Sequence, residues 1–252
     1  MQNAAQQLPL FSDTEEPGHA PGFSVRVSGR ARRLSIKVFP RGKVEVVVPK
    51  RTRAADVQAF VAEHSAWIEQ ARAAFAELHP PESFALPSRI DLPAVGRSVR
   101  VRYARPDTNT SGVRFRTSGS AVILSGRTAD DALCVAALKR WLAGVARAEF
   151  EPRLRALSAS TGNSFRRMHV RGQRTCWGSH SSRGTISINY CLLFLEPVLV
   201  RYLMIHELCH ARHMNHSRRF WRHVGRFEPG YRDLDRRLSD AWKHIPVWLG
   251  FY

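Results

Sequence analysis

The strongest constraint in this chain is an apolar, helix-forming run that ends in ionisable residues. Val198, Leu199, Val200, Tyr202, Leu203, Met204 and Ile205 lead into His206-Glu207-Leu208-Cys209-His210, and His216 follows. Residues four apart on a helix share one face, one turn apart. His206 and His210 can therefore close on a single cation, with the Glu207 carboxylate beside it. This is the H-E-x-x-H arrangement of zinc hydrolases, in which the metal brings the pKa of its water to about 7 and the Glu takes the proton. Unpaired ionisable groups are costly to bury, so their presence in an apolar segment points to a bound metal, Zn2+. A purely structural site would need the histidines but would have no use for Glu207.

The third ligand must come from beyond this helix. His216 stands at the H-E-x-x-H-x5-H spacing that metzincins use, although His213 occupies the position where they place a turn-forming Gly. The chain has to reverse first, and Asn215 suits that role because Asn tolerates the left-handed conformation and caps a following helix. The run from Ser217 to Val224 reads as that next helix, with Phe220, Trp221 and Val224 as its apolar face. His213 lies almost above His206 but about one turn too far along, and Glu228 and His223 are weaker alternatives. His216 is the favoured third ligand.

Composition narrows the class of protein. The chain has 252 residues and a hydrophobic fraction of 44%, enough for one large domain or two small ones. There is no apolar run of about 18 residues, so no transmembrane helix is expected, and no basic start followed by an apolar block suggests a secretory signal. Cys134, Cys176, Cys191 and Cys209 are scattered without a C-x-x-C pair, which fits a reducing cytoplasm. Cys209 reads as a small packing residue of the helix. The formal net charge is +18, and nearly all of the cations are arginine. A basic surface attracts polyanions, DNA above all, although Arg codons of a GC-rich genome would produce the same bias.

Along the chain, residues 1–21 read as a disordered tail. Within it, Gln7-Leu8-Pro9-Leu10-Phe11 is similar to the short peptide with which bacterial replication and repair proteins dock on the sliding clamp. Gln7, Leu8, Leu10 and Phe11 would be the anchors entering an apolar pocket. Alternation of apolar residues predicts strands at Phe23–Val27, Leu34–Val38 and Val44–Val48, the last after a Pro40-Arg41-Gly42 turn, arranged as three antiparallel strands. Thr52 is expected to cap a helix to about Leu78, with Val57, Phe60, Val61, His64, Trp67, Ile68 and Phe75 on its packed side. The Pro-rich stretch from His79 to Pro93 reads as a linker. Strands follow near Val99–Tyr103, Val113–Arg116 and Ala121–Leu124, then a long helix from about Ala129 to Ser158.

From Arg166 to Tyr190, Met168–Val170 and Thr185–Asn189 read as strands around Trp177-Gly178-Ser179, and Pro197 opens the metal-binding helix as a favourable first-turn residue. An edge strand beside the metal can pair with an extended peptide through backbone hydrogen bonds. Trp177, Gly178 and Ser179 are the candidate substrate-binding residues, with Trp177 as cleft wall or, equally, as core.

The chain is thus expected to be α+β: antiparallel strands and a helix in a β-rich region over 22–125, then a zincin-like catalytic region over 126–252 with the H-E-x-x-H helix beside a small sheet.

Several segments occur in order: Arg32-Arg33-Leu34-Ser35-Ile36, Val48-Pro49-Lys50, Trp67-Ile68, Trp177-Gly178-Ser179, Ile188-Asn189, the His206–His210 motif and Asn215-His216-Ser217-Arg218-Arg219-Phe220-Trp221. Together they resemble the YgjP-like metal-dependent hydrolases, relatives of the SprT-like and WLM metallopeptidases. The resemblance spans about residues 23 to 228, most specifically around the metal helix. It implies zinc ligands at His206, His210 and His216 with Glu207 as general base. Where the family usually continues Trp-Gly-Ser with Cys, this chain has His180, and Cys176 stands where Arg is common.

These readings converge on a zinc metallopeptidase acting on a protein or peptide substrate, with DNA-associated proteins suggested by the basic surface. The oxyanion would be stabilised by His223, Tyr231 or Arg174. Two alternatives are a nucleoside triphosphate (UTP) pyrophosphohydrolase, against which the chain offers no Gly-rich phosphate loop with its Lys, and a non-catalytic zinc-stabilised binding module.

Overall fold

The computed structural model describes residues 22–29, 31–38, 44–78, 85–173 and 176–250. The tail with Gln7–Phe11, the Pro40-Arg41-Gly42 turn, Arg174 and Phe251 lie outside the described residues. The chain forms two compact units, Met1–Ala74 and Phe75–Tyr252. The change from strands to helices that the sequence marks near residue 125 falls inside the second unit.

In the first unit, β1 (Phe23–Ser28), β2 (Ser35–Val38) and β3 (Val44–Pro49) form a sheet in the order β1-β3-β2. β3 takes the centre because its run of Val44, Val46, Val47 and Val48 is buried on both faces, the signature of a strand covered on two sides. It pairs antiparallel with β2 and parallel with β1, Phe23 standing opposite Val44 and Ser28 opposite Pro49. The pairing is therefore mixed rather than wholly antiparallel: β2 lies antiparallel on one edge of β3, and β1 takes the other edge running the same way as β3.

The expected single helix is two, α1 (Ala54–Glu63) and α2 (Ser65–Leu78), parted at His64, whose Nδ1 lies 2.8 Å from the Phe60 carbonyl oxygen. Thr52 is not the cap. Its hydroxyl donates to the Pro49 carbonyl at 2.9 Å, and Arg53 holds the N-cap position. Val57, Val61 and Ile68 share the buried face with the valines of β3. Trp67, about 100° around the helix from Ile68, is 50% exposed rather than packed. The side chain of Phe75 lies outside those described.

The second unit opens with a four-stranded sheet of β4 (Arg89–Leu92), β5 (Arg97–Tyr103), β6 (Val113–Ser118) and β7 (Ala121–Gly126), in the order β4-β5-β7-β6. β4 comes from the stretch that reads as a linker; Ile90 and Leu92 alternate into the core while Arg89 and Asp91 face out. α3 (Asp131–Thr161) starts where the Asp130 side chain accepts the Leu133 N–H at 3.0 Å, and it stops at Gly162 in the left-handed region. Leu138, Leu142, Phe150 and Leu154 form its buried stripe.

A second sheet follows, of β8 (Arg167–Arg171), β9 (Gly178–His180) and β10 (Thr185–Asn189), in the order β8-β10-β9, so β9 is an edge strand. The chain then enters α4 (Pro197–Cys209), α5 (Arg218–Phe227) and α6 (Tyr231–Asp240). Pro197 supplies the first residue of α4, where its missing N–H costs nothing. α4 is buried nearly all round and touches α3, α5, α6 and β9, as expected of a helix that is apolar on every side. The observed architecture is α+β. Among the described residues, no helix is long and apolar enough to cross a membrane.

The N-cap of α3 has a measurable consequence. Asp130→Ala leaves the Leu133 N–H without its side-chain acceptor and should lower stability by about 1 kcal/mol, read as a reduced urea midpoint at unchanged slope.

Candidate metal centre

The helical repeat of α4 stacks His206 over His210, and the turn after it brings back His216. One ligand atom from each of the three imidazoles lies within 4.8 Å of the others, and the Nε2 atoms of His206 and His216 are 3.0 Å apart. The rings are oriented from outside the cluster. His210 Nδ1 lies 2.9 Å from the His213 carbonyl oxygen; donation there leaves the Nε2 lone pair for a ligand. Tyr202, one turn before His206, places its hydroxyl 3.5 Å from His206 Nδ1 and donates to Asp235 Oδ1 at 2.7 Å. Phe220 of α5 stacks on the His210 ring at 4.5 Å and meets the other two rings edge-on.

Burial, reinforced by His210 and His216 nearby, pushes the His206 imidazole down to about 3. Burial lowers His210 as well. These rings are therefore held in the neutral form that donates a lone pair. Glu207 is 4% exposed, its Oε2 has no hydrogen-bond partner, and burial raises its carboxyl to about 8. Three clustered imidazoles beside an orphaned buried carboxyl are a donor set that fits a divalent transition metal, for which imidazole is a preferred ligand. Burial also pushes the Cys209 thiol up to about 12, so that residue packs the helix as an inert side chain.

The loop that returns His216 reverses without a left-handed residue. Asn215 is not in that conformation; Arg51 is the described non-glycine with positive φ. Instead Ala211 and Arg212 continue the turn onto the carbonyls of Leu208 and Cys209. Asn163, at the end of α3, then accepts from Arg212 Nε at 3.1 Å and pairs with His223 Nε2 at 3.0 Å. His223 is thereby buried away from the cluster. His213 turns its ring toward His223, and Glu228 pairs with Arg201. None of these alternatives joins the three imidazoles.

β9 runs beside α4. Gly178 sits where an added Cβ would lie 2.9 Å from Glu207 Oε1 and 3.1 Å from its Cδ, so the absence of a side chain is what lets strand and carboxylate meet. Ser179 is exposed. Trp177 points the other way: it is 6% exposed, its indole N–H donates to the Leu238 carbonyl at 2.8 Å, and its ring stacks on Trp242 at 3.9 Å. Its side chain anchors the strand in the core. His180 Nδ1 lies 2.5 Å from the Glu207 carbonyl oxygen. With His210, Ser181, Ala211 and Met214, His180 lines a cleft of about 470 Å³. Of the residues considered for the oxyanion, Tyr231 stacks on Trp221 at 5.3 Å, on the other side of the cluster. Tyr202 was findable from sequence, since it is four residues before His206 on the same face. His180 stood out in the sequence as a departure from the family's Cys, whereas Asp235 and Asn163 carried no signal.

The family model for the YgjP-like metallopeptidase domain matches residues 32–241. Among solved structures, the chain is similar to the metallopeptidase zymogen abylysin of Pyrococcus abyssi, with 26% identity and a TM-score of 0.33 over 38% of this chain and 98% of that one. No curated protein matches.

The buried imidazole sets a pH dependence. An unfolded histidine takes up a proton below about 6.5, whereas His206 in the fold refuses one until about 3. The metal-free fold therefore loses stability as pH falls from 6.5 toward 3, by about 1.4 kcal/mol per pH unit for each such histidine. Glu207 acts oppositely, because its carboxyl keeps a proton in the fold up to about 8 but ionises near 4.5 when unfolded. In metal-free Glu207→Gln the acid-side slope should stand alone between pH 6.5 and 5, and it should shrink when His206→Gln is added. Urea midpoints that stay flat in Glu207→Gln would contradict this.

Proposed function

The chain belongs to the YgjP-like metallopeptidase family, and from that premise we propose that it is a zinc peptidase with His206, His210 and His216 as ligands and Glu207 as general base. One observation carries this reading: three imidazoles meet within 4.8 Å next to a buried carboxylate whose Oε2 is unpartnered. Zinc, when bound, would supply Lewis acidity, polarising a peptide carbonyl and acidifying water.

The protein's own groups account for the remaining steps. Burial alone favours the protonated Glu207 carboxyl; a cation held by the neighbouring imidazoles would favour its ionised form, which would accept a proton from the attacking water and return it to the departing amine. The free edge of β9 offers backbone groups to an extended peptide, as strand addition requires. Gly178 keeps that edge in contact with the carboxylate, and Ser179 is exposed at the same edge. Substrate contacts from this stretch fall to the backbone and to Ser179, the Trp177 ring being committed to the core.

The net charge of +18 supports a further part of the proposal, that the substrates are proteins held on DNA. Docking on the sliding clamp through Gln7, Leu8, Leu10 and Phe11 would place the enzyme there. DNA-stimulated cleavage of a DNA-binding protein is the expected observation; cleavage indifferent to DNA would remove this link, and clamp binding unchanged by deletion of residues 1–11 would remove the docking peptide.

The test of the activity itself is hydrolysis of unfolded casein by zinc-loaded protein, abolished by a chelator. Glu207→Gln should retain zinc yet lose about a hundred- to ten-thousand-fold in rate; full activity in that variant would exclude the carboxylate as base. Gly178→Ala makes a finer point. Its methyl group should displace the carboxylate and cut the rate at least about tenfold with zinc content unchanged. Equal rates in Gly178→Ala and wild type would mean that the strand contact has no part in catalysis.

A further inference from the structure

On the α5–α6 side of the imidazoles lies a cleft of about 660 Å³ lined by Arg218, Trp221, Arg222, Tyr231, Arg232 and Asp235. It adjoins the metal centre directly. The Trp221 ring is 5.7 Å from that of His206 and 5.6 Å from that of His216, and Asp235 accepts the Tyr202 hydroxyl beside His206.

The charges of this cleft are unbalanced. Some arginines nearby have acidic partners: Arg201 of α4 with Glu228, and Arg236 and Arg237 of α6 with Asp233 at 2.5 Å and Glu196 at 2.7 Å. Arg218 and Arg222 enter no ion pair among the described residues, and Arg232 contacts the Tyr231 hydroxyl rather than a carboxylate. Three guanidinium groups thus face one carboxylate that is already engaged. Arg218 and Arg222 stand one turn apart on one face of α5. The cleft is built on the first turns of both helices, whose N-cap residues Ser217 and Gly230 make no side-chain cap bond. The positive ends of the two helix dipoles add to the potential there. Trp221 and Tyr231, stacked at 5.3 Å and 15°, give the cleft an apolar wall.

We propose that this cleft is a specificity subsite that receives an acidic side chain of the peptide substrate, close to the bond being cut. The assignment rests on the peptidase reading of the neighbouring centre. An extended peptide advances about 3.3 Å per residue, so a chain with its carbonyl at the three imidazoles brings a residue one or two positions away over Trp221. A carboxylate there meets guanidinium groups able to bind it in bidentate fashion. The three arginines line one concave cleft from two helices, which suits a single carboxylate better than the repeating phosphates of a nucleic-acid strand.

The experiment uses the full chain as zinc-loaded Glu207→Gln and a set of fluorescent peptides that differ only by Asp or Lys at each position of a common neutral sequence. Fluorescence anisotropy should show Asp favoured over Lys by about tenfold at one position, and the preference should vanish or invert in Arg222→Glu and in Arg218→Glu. Equal affinity of the Asp and Lys peptides at every position would overturn the assignment. So would a preference that survives both charge reversals, or an oligothymidylate that binds through Arg218 and Arg222 and is not displaced by the Asp peptide. Failure of the peptidase reading would appear separately, as absence of cleavage by zinc-loaded wild type, because this measurement reads binding and not turnover.

Discussion

The centre depends on one costly act, the burial of the Glu207 carboxylate inside a helix that is apolar on nearly every side. A carboxylate withdrawn from water without a partner is destabilising by several kcal/mol, and here one oxygen is unpaired and the group is 4% exposed. Burial raises its proton affinity, and a cation among the imidazoles would offset that cost by favouring the ionised form. The strand that seals it in is β9, and the seal works because Gly178 has no side chain to intrude. Any larger residue there would collide with the carboxylate and force it to move.

The neutral imidazoles follow from the same burial. Desolvation holds His206 and His210 unprotonated, and contacts from outside the cluster decide which nitrogen faces inward. His210 is turned by a carbonyl of the loop that follows it. His206 is backed by Tyr202, and Tyr202 is held by Asp235 on α6. That loop is pinned in turn by Arg212 on Asn163 at the end of α3. The end of α3, α4 and α6 therefore meet behind one small group of imidazoles, and α5 closes the assembly with Phe220 against all three rings.

This division explains what the sequence revealed. His206, Glu207 and His210 are legible because a helix converts a spacing of four into proximity, and His216 because the intervening turn is short. The α+β character was readable from the short apolar runs of β3 and β7 and from the apolar stripe of α3. Contacts that join distant segments were not readable: Asp235 behind Tyr202, His180 on the Glu207 carbonyl, Asn163 under the loop. The parallel β1–β3 pairing escaped for a similar reason, since a pattern of period two fixes faces but not the direction of a neighbour. Trp177 shows the limit at a single residue. Its sequence position left cleft wall and core equally open, and the indole, just before β9, goes to Leu238 and Trp242 in the core.

The two openings beside the imidazoles differ in chemistry, and on the proposed reading that difference gives the site a direction. On the β9 side, recognition runs through backbone hydrogen bonds, which accept any sequence that can extend. On the α5–α6 side it runs through guanidinium groups, which distinguish one charge from another. A substrate bound by the first alone could shift register freely along the strand edge, because each residue offers the same amide. A carboxylate seated among Arg218, Arg222 and Arg232 would stop that sliding and fix which carbonyl lies beside Glu207. Affinity and register would thus come from separate walls of one cleft, with the catalytic carboxylate buried between them.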